Sequence, residues 1–205
     1  MPGQSAVELF GEWAIMGRDE GMEQGHSPSV EEIIHAVIGR TPGRFSAIDV
    51  GCGNGWAVRK LSSLPGCYRS SGVDGSQQMI DKARSIDPEG EYFLGNLPVW
   101  RPEKKSDLIM SMEFIYYLDD PLGFFQILND DWLSDGGSVA FGLDHYLENE
   151  SSVSWPKSLG VPMATLSIEE WRDGLEGAGF TDVEAIQVLP KEGWSGTLVL
   201  IGTKA

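Results

Sequence analysis

The sequence predicts an α/β fold, with a doubly wound, seven-stranded and mainly parallel sheet that carries helices on both faces. Two observations lead to this prediction. From residue 45 onward, short apolar runs alternate with amphipathic segments, which is the pattern of strands joined by crossover helices. Seven apolar runs have the length of strands, so the predicted sheet has seven strands.

The strands and helices follow from this alternation in chain order. The predicted strands cover residues 45–50, 69–73, 91–94, 107–112, 137–143, 181–189 and 196–203. The predicted helices between them cover residues 55–63, 77–85, 121–133 and 168–178. The last helix has the clearest ends, because Ser167 is a favourable N-cap, Glu170 stands at the capping-box position and Gly179 stops it.

The first 40 residues contain two further predicted helices, over residues 5–16 and 28–38, the second with Ser27 as its N-cap. We interpret residues 1–40 as a helical lid over a core formed by residues 41–205. The whole chain is expected to be one domain, because 205 residues are few for two independent cores. Residues 144–166 form the longest segment without a regular pattern, which is typical of a functional or mobile loop.

Charge and composition restrict the classes of function. The net charge is −16, and such a field repels polyanions, so nucleic acid is not an expected partner. No apolar run approaches the roughly 20 residues of a membrane helix. Residues 1–5 lack the basic and apolar segments of a secretory signal. With Cys52 and Cys67 interpreted as reduced thiols, we expect a soluble, cytoplasmic protein.

A glycine-rich turn, Asp49–Gly55, follows the first predicted strand. Glycine lets the chain turn tightly from strand to helix and lets the backbone approach a ligand. The glycines at 51, 53 and 55 are followed by Trp56, so the spacing differs from the G-x-G-x-x-G of a dinucleotide site. Asp74 ends the second strand, 23 positions after Gly51, where a nucleoside site places a carboxylate for the ribose hydroxyls. Together, the turn and Asp74 predict a nucleoside-containing ligand.

The segment Asp49–Gly55 resembles motif I, D/E-x-G-x-G-x-G, of class I S-adenosylmethionine-dependent methyltransferases, and Asp74 resembles the acidic residue of their motif II. The resemblance is to the small-molecule enzymes of types 11 and 25. It covers about residues 45–205, through Gly95–Pro98, Ser106–Ser111 and Glu113–Pro121. It implies a Rossmann-like sheet whose last strand is antiparallel, with S-adenosylmethionine as donor and S-adenosylhomocysteine as product.

The resemblance also implies roles within the donor site. Gly51 and Gly53 would contact the methionine moiety through backbone atoms. Asp49 would orient the amino group of that moiety, and Asp74 would hold the ribose. The remaining implied donor-binding positions are Cys52, Gly75, Asn96 and Leu97, the last two beside the adenine, with Met112 and Glu113 in the wall of the site. For Glu113 the alternative is a role in capping the local backbone.

Methyl transfer from a sulfonium is a displacement, so a general base is needed only where the acceptor must lose a proton. The candidate catalytic residues are His26 in the lid, Tyr117 after the fourth strand and His145 after the fifth. The alternative for His26 and Tyr117 is a structural role in packing. Three histidines and two cysteines show no zinc spacing, and Asp144 and Asn149 do not match a metal-dependent pattern, so no metal is expected.

The predicted function is methyl transfer to a small-molecule acceptor, bound between residues 10–30 and 144–166. The same core allows three alternatives: a protein or tRNA methyltransferase, a catalytically idle S-adenosylmethionine-binding protein, and an aminopropyl transferase. The acidity of the chain counts against nucleic acid as the acceptor. The sequence leaves open the accepting atom and the choice between monomer and homodimer.

Overall fold

The structure is a computed structural model that describes residues 4–41 and 43–205. Within these ranges seven strands form one sheet: β1 (Phe45–Val50), β2 (Cys67–Asp74), β3 (Glu91–Leu94), β4 (Ser106–Met112), β5 (Leu133–Leu143), β6 (Phe180–Val188) and β7 (Thr197–Lys204). They lie in the order β3–β2–β1–β4–β5–β7–β6. The pairs from β3 to β5 are parallel, and β7 is antiparallel to both of its neighbours. The predicted sheet, with its antiparallel last strand, is confirmed.

Seven α-helices occur in the same described ranges: α1 (Ala6–Met16), α2 (Asp19–Ile38), α3 (Trp56–Ser62), α4 (Gln77–Ile86), α5 (Pro121–Ile127), α6 (Trp155–Leu159) and α7 (Ile168–Gly177). Ser167 and Glu170 form the predicted capping box of α7, since each side chain accepts the backbone N–H of the other residue. Ser5 and Glu8 cap α1 in the same way. Among the residues that the structure describes, no helix has both the length and the apolar composition of a membrane span.

Apolar side chains cover both faces of the sheet, because successive residues of a strand point to opposite faces. In β1, Ile48 and Val50 belong to the cluster that α5 and α7 cover. Ala47, which directly precedes Ile48, belongs to the cluster that α2 and α3 cover. Helices therefore pack on both faces, and the carboxyl ends of the parallel strands are left at one edge as the place for a ligand.

The structure corrects the predicted start of the second helix. α2 begins at Asp19, so Pro28 lies inside it and Ser27 is not its N-cap. Proline removes one backbone hydrogen bond from a helix, but contacts at the start of α2 oppose that loss. The buried carboxylate of Asp19 accepts hydrogen bonds from Asn54 Nδ2 and Lys82 Nζ, both at 2.8 Å. Residues 19–27, which precede the predicted helix, are thus helical.

The predicted helix over residues 121–133 is also corrected. α5 ends at Ile127, a wider π-helical turn covers Leu128–Trp132, and β5 begins at Leu133 instead of residue 137. This turn places Trp132 in the core, where its ring packs edge-on against Trp100 at a centroid distance of 5.2 Å. Residues 144–166, predicted to be irregular, contain the short helix α6.

Candidate active site

The glycine turn after β1 forms the floor of a cavity of about 790 Å³, including its opening to solvent, which we call the loop cavity. Gly51 has a φ of 77°, and a Cβ atom there would lie 2.5 Å from Phe114 Cβ. Gly53 has a φ of 52°, and the nearest atom to its Cβ position is Met79 Sδ at 3.8 Å. Glycine at 51 is therefore needed for close packing, whereas glycine at 53 leaves room for a ligand.

Asp49 is a buried carboxylate beneath the loop cavity. Its Oδ1 atom has no hydrogen-bond partner among the described residues. Burial, and to a smaller extent the nearby charge of Asp74, raises the pKa of Asp49 to about 7. A buried carboxylate with an unpaired oxygen is stabilised by a cationic group, and the loop cavity provides space for one.

Asp74 lies at the carboxyl end of β2 and lines the same cavity. Its Oδ2 accepts the N–H of Gly53 at 2.9 Å, and its Oδ1 accepts the N–H of Ser76 at 2.8 Å. Burial raises the pKa of Asp74, while these backbone hydrogen bonds oppose the rise. The carboxylate is thus fixed in position, and each oxygen retains a lone pair for a hydroxyl group.

A second cavity of about 1010 Å³, which we call the aromatic cavity, opens beside the first between α1, α2 and α6. Its walls include the rings of Phe10, Trp13, Tyr117 and Trp155, and its titratable lining residues include Arg18, His26 and Glu113. The residues that line both cavities are Phe10, Met22, His26, Glu113 and Tyr117. The two cavities therefore meet at these side chains.

Glu113 is a partly buried carboxylate at this junction, and it has a φ of 60°, which is unusual for a residue other than glycine. The hydroxyl of Tyr116 donates to its Oε2 at 2.6 Å, and the N–H of Asp144 donates to its Oε1. Burial raises the pKa of Glu113 well above its ordinary value, and the charge of Asp144 adds to the rise. Glu113 thus both walls the junction and holds local backbone, so the two roles predicted for it coexist.

His26 lies on α2 with its Nε2 atom 3.6 Å from Oδ2 of Asp144. The other oxygen of Asp144 accepts the hydroxyl hydrogen bond of Thr197 at 2.6 Å, and Thr197 is hydrogen-bonded to Ser29 at 2.7 Å. Burial lowers the pKa of His26, and the charge of Asp144 opposes that decrease. The neutral imidazole is therefore favoured at neutral pH, next to a fixed carboxylate.

The structure corrects the prediction for His145. This side chain is fully buried, with Nδ1 at 3.0 Å from the carbonyl oxygen of Ser152 and Nε2 at 2.8 Å from Thr165 Oγ1. Both ring nitrogens are occupied within the 144–166 segment, and neither cavity includes the residue. His145 stabilises that segment and has no nitrogen available for an acceptor.

The other predicted donor residues fall into two groups. The members of the first group line the loop cavity: Cys52, Gly75 and Met112. The thiol of Cys52 also packs in a small core cluster with Val58 and Ile80. Asn96 and Leu97 do not line either cavity, and Asn96 is exposed. Their contact with adenine stays a prediction.

Sequence reasoning did not assign Asp144, Phe10 or Met22 to the site. Asp144 directly follows a predicted strand, so strand-end position was the available signal for it. Phe10 and Met22 come to the site only because α1 and α2 fold over the sheet edge, and no local pattern indicates that packing. Trp155 lies in the 144–166 segment that was expected to bound the acceptor, and it lines the aromatic cavity.

The sheet order, the glycine turn and the carboxylates after β1 and β2 define the class I S-adenosylmethionine-dependent methyltransferase fold. Residues 23–185 match the model of a protein family described as a methyltransferase domain. The match covers most of the chain, and the protein belongs to this family.

Curated relatives support the same family. The trans-aconitate 2-methyltransferase of Rhizobium etli is 31% identical over 128 residues, which cover 62% of this chain and 44% of that protein. The malonyl-[acyl-carrier protein] O-methyltransferase of Halalkalibacterium halodurans is 31% identical over 147 residues, which cover 63% of this chain and 54% of that protein. The chain spans about half the length of these relatives.

Among the solved structures that match nearly the whole chain is one with a bound protein partner. It is a complex between the Trm112 methyltransferase activator of Haloferax volcanii and a methyltransferase. The likeness has a TM-score of 0.80 and 27% sequence identity, and it covers 95% of this chain and 96% of the other. A relative of this fold has therefore been solved with a protein partner.

Proposed function

We propose that this chain transfers a methyl group from S-adenosylmethionine to a small-molecule acceptor. The observation that carries the proposal is the junction of the two cavities at five shared side chains. A displacement requires donor and acceptor to be in contact and in line, away from water. The loop cavity would hold the donor, the aromatic cavity would hold the acceptor, and the shared residues would surround the transferred group.

The loop cavity fits this donor chemically. The unpaired Oδ1 of Asp49 matches the ammonium group of a methionine moiety. The free lone pairs of Asp74 match the ribose hydroxyls, and the open face of Gly53 lets the backbone approach the ligand. When bound, the donor supplies a methyl group on a positively charged sulfur, which is already activated for attack. The protein's own contribution is to align the two reactants and exclude water.

We propose that α1 and α2 provide this exclusion, as the lid (residues 1–40) of a single domain whose core is residues 41–205. α1 packs against α4, and Val7 Cγ2 lies 2.9 Å from the Cβ position of Gly75. Phe10 and His26 line both cavities from α1 and α2. The lid would therefore cover the donor and bring side chains to the acceptor.

A small acceptor is favoured over a macromolecule by the shape of the aromatic cavity, because α1, α2 and α6 surround it. The net charge of −16 disfavours tRNA. The names of the two curated relatives, trans-aconitate 2-methyltransferase and malonyl-[acyl-carrier protein] O-methyltransferase, also include small carboxylic groups.

The test is binding of S-adenosylhomocysteine, measured by calorimetry and by thermal shift. We expect a dissociation constant in the micromolar range, weakened at least about tenfold in Asp74→Ala. Asp81→Ala, an exposed carboxylate on the neighbouring helix α4, is the matched control and should bind as the wild type does. Absence of any thermal shift in the wild type contradicts the proposal. Binding without transfer of labelled methyl to any component of a metabolite extract would identify an idle binder.

We also propose, as a second function, that the open edge of the sheet at β3 docks a partner of the Trm112 activator type. The solved complex of a relative motivates this proposal. At β3, Phe93 and Leu94 are 39% and 45% exposed, and Val99 beyond them is 72% exposed. An edge strand with exposed apolar side chains is a template for strand addition by a partner.

The opposite edge, β6, also has an exposed apolar side chain, Ile186 at 38%, but it differs from β3 in charge and in regularity. Its exposed positions include Asp182 and Glu184, and the strand register is irregular between Thr181 and Glu184. Arg40 also donates hydrogen bonds to the carbonyl of Asp182 and to the carboxylate of Glu184. Charge and irregularity protect β6 from strand addition, whereas β3 is left open.

The probe for this second function is the Haloferax volcanii Trm112 activator itself, mixed with the purified chain and analysed by size-exclusion chromatography. We expect a one-to-one complex at about 10 μM, since interfaces of this kind are stable at such concentrations. Phe93→Glu should abolish the complex and Thr181→Glu, on the other edge, should leave it intact. Failure of the wild type to form the complex, or its persistence in Phe93→Glu, contradicts docking at β3.

A further inference from the structure

The junction of the two cavities contains a histidine and a carboxylate in the arrangement of a general base and its orienting group. His26 Nε2 faces Asp144 Oδ2 at 3.6 Å, which leaves Nδ1 as the nitrogen for an acceptor. The Asp144 side chain is 8% exposed, and that of His26 is 23% exposed. The imidazole is thus accessible to a ligand, while the carboxylate behind it is not.

Asp144 is held from behind by a chain of hydroxyl groups. Thr197 on β7 donates to its Oδ1, and Thr197 in turn is hydrogen-bonded to Ser29 on α2, the helix that carries His26. The carboxylate is therefore hydrogen-bonded, through Thr197, to the helix that carries His26. A carboxylate fixed beside an imidazole stabilises the protonated form of the ring.

We propose that His26 is the general base of the methyl transfer and that its acceptor is a planar aromatic compound with a hydroxyl group, Asp144 being the positioning residue. The inference rests on the proposed methyltransferase function and adds the class of acceptor to it. Over one turnover the acceptor oxygen exchanges its proton for the methyl group. The electrons of the broken carbon–sulfur bond remain on sulfur, and the proton passes from the acceptor to His26 and then to solvent.

The walls of the aromatic cavity point to this acceptor class. Phe10 lies edge-on to both Trp13 and Tyr117, at centroid distances of 5.3 and 5.4 Å. Trp155 closes the cavity from α6 and stacks on Trp194 at 6.1 Å. Flat aromatic walls favour a flat apolar body. A carboxylate acceptor is already ionised at neutral pH, so its methylation would not require a general base.

The charged and titratable groups that face His26 come from four elements. Asp144 follows β5, Glu113 follows β4, Tyr117 belongs to the turn after Glu113, and Arg18 immediately precedes α2. Glu113 is shielded by its own hydrogen bonds from Tyr116 and from the N–H of Asp144. Because burial lowers the pKa of His26, the ring is neutral and able to accept a proton at neutral pH.

A divalent cation is the competing occupant of this position, since one ligand atom each from His26, Glu113 and Asp144 lie within 4.8 Å of one another. The hydrogen bonds of the trio favour a proton instead. Both oxygens of Glu113 and one oxygen of Asp144 already accept hydrogen bonds from protein groups. We therefore assign proton transfer, and not metal binding, to the trio.

The test uses 4-nitrophenol with protein saturated by S-adenosylhomocysteine, at about pH 6, where the free probe is mostly protonated. Its phenolate absorbs visible light, so ionisation on binding is read directly and without turnover. We expect the phenolate band in the wild type, because the imidazolium formed by proton transfer is stabilised by both the phenolate and Asp144. The band should fall at least tenfold in His26→Gln and by a smaller factor in Asp144→Asn. His35→Gln, an exposed histidine on the same helix, is the matched control and should behave as the wild type does.

A histidine NMR titration provides a second measurement. The signal of His26 should titrate at a lower pH in Asp144→Asn than in the wild type, because the facing charge is lost, and the acid limb of the pH–rate profile should move with it.

A phenolate band that persists in His26→Gln, or a wild type that does not bind 4-nitrophenol, overturns the inference. Loss of the band with EDTA and its return with Mg²⁺ would assign the trio to a cation. Failure to bind S-adenosylhomocysteine at all contradicts the proposed function instead.

Discussion

The loop cavity and the aromatic cavity are built in different ways. The loop cavity takes its shape from backbone, with Gly51 and Gly53 at positive φ and three carboxylates, Asp49, Asp74 and Glu113, among its lining residues. The aromatic cavity takes its shape from side chains on helices at the edge of the sheet, such as Trp13 and Trp155. A site made of backbone changes only when the turn changes, whereas a site made of side chains changes with one substitution. The proposed donor half, the loop cavity, is therefore tied to the fold, and the proposed acceptor half, the aromatic cavity, is free to vary.

The largest effect should come from adding a methyl group to a glycine of the loop cavity, because backbone shapes that cavity. Gly51→Ala places a Cβ atom 2.5 Å from Phe114 Cβ at a φ of 77°, and the backbone strain alone costs about 1–3 kcal/mol. Chemical denaturation should show a loss of at least that size. The control is Gly25→Ala in α2, which lines the aromatic cavity and has nothing within 4 Å of its Cβ position. It should gain up to about 1 kcal/mol of helix stability. Equal changes in stability in Gly51→Ala and Gly25→Ala would contradict the distinction between a cavity shaped by backbone and a cavity shaped by side chains.

The next effect concerns the proton on Asp49. Its pKa is raised to about 7, so in the free protein this group opposes stability increasingly as the pH rises from about 4 through 7. An ammonium group bound beside it favours the ionised form, so binding of S-adenosylhomocysteine at pH 6.5 should release about three quarters of a proton. Calorimetry in buffers of different ionisation enthalpy measures this release. Asp49→Asn should bind more weakly and release none, and an equal release in that variant would contradict the assignment.

The smallest effect should come from removing one side chain from the wall of the aromatic cavity. Trp155→Ala removes an aromatic contact with the acceptor, worth about 0.5–1.5 kcal/mol beyond its buried area. It should weaken 4-nitrophenol binding by about tenfold and leave S-adenosylhomocysteine affinity unchanged. Trp194→Ala, which removes the ring stacked behind Trp155 but not a lining residue, should have a smaller effect. A change in S-adenosylhomocysteine affinity in Trp155→Ala would show that the loop cavity and the aromatic cavity are not independent.

The donor half could be predicted from the sequence because its signals are local. Asp49, Gly51 and Gly53 lie within one short turn, and Asp74 comes to them because parallel strands bring their carboxyl ends to one edge. Each of these residues lines the loop cavity. Asn96 and Leu97, which depend on the path of a loop and not on a strand end, do not line it.

The acceptor half could be predicted only in part, because it depends on long-range packing. His26 and Tyr117 lie at the junction, but the helix that carries His26 begins nine residues earlier than its cap signals indicate. After β5, two polar residues follow in succession, and the side-chain alternation of a strand lets only one of them face the site. The structure turns Asp144 toward His26 and buries His145 behind it. No local feature of the sequence decides which of the two faces inward.

The buried carboxylate of Asp19 has a consequence in evolutionary terms. It binds Asn54 in the glycine turn and Lys82 on α4 at the same time, so three separate parts of the chain share one charge. A neutral residue at 19 would leave the amide of Asn54 without its acceptor and Lys82 with Glu20 as its remaining carboxylate partner. The three positions should therefore covary among related proteins: a chain that loses the acid should also lose its two donors.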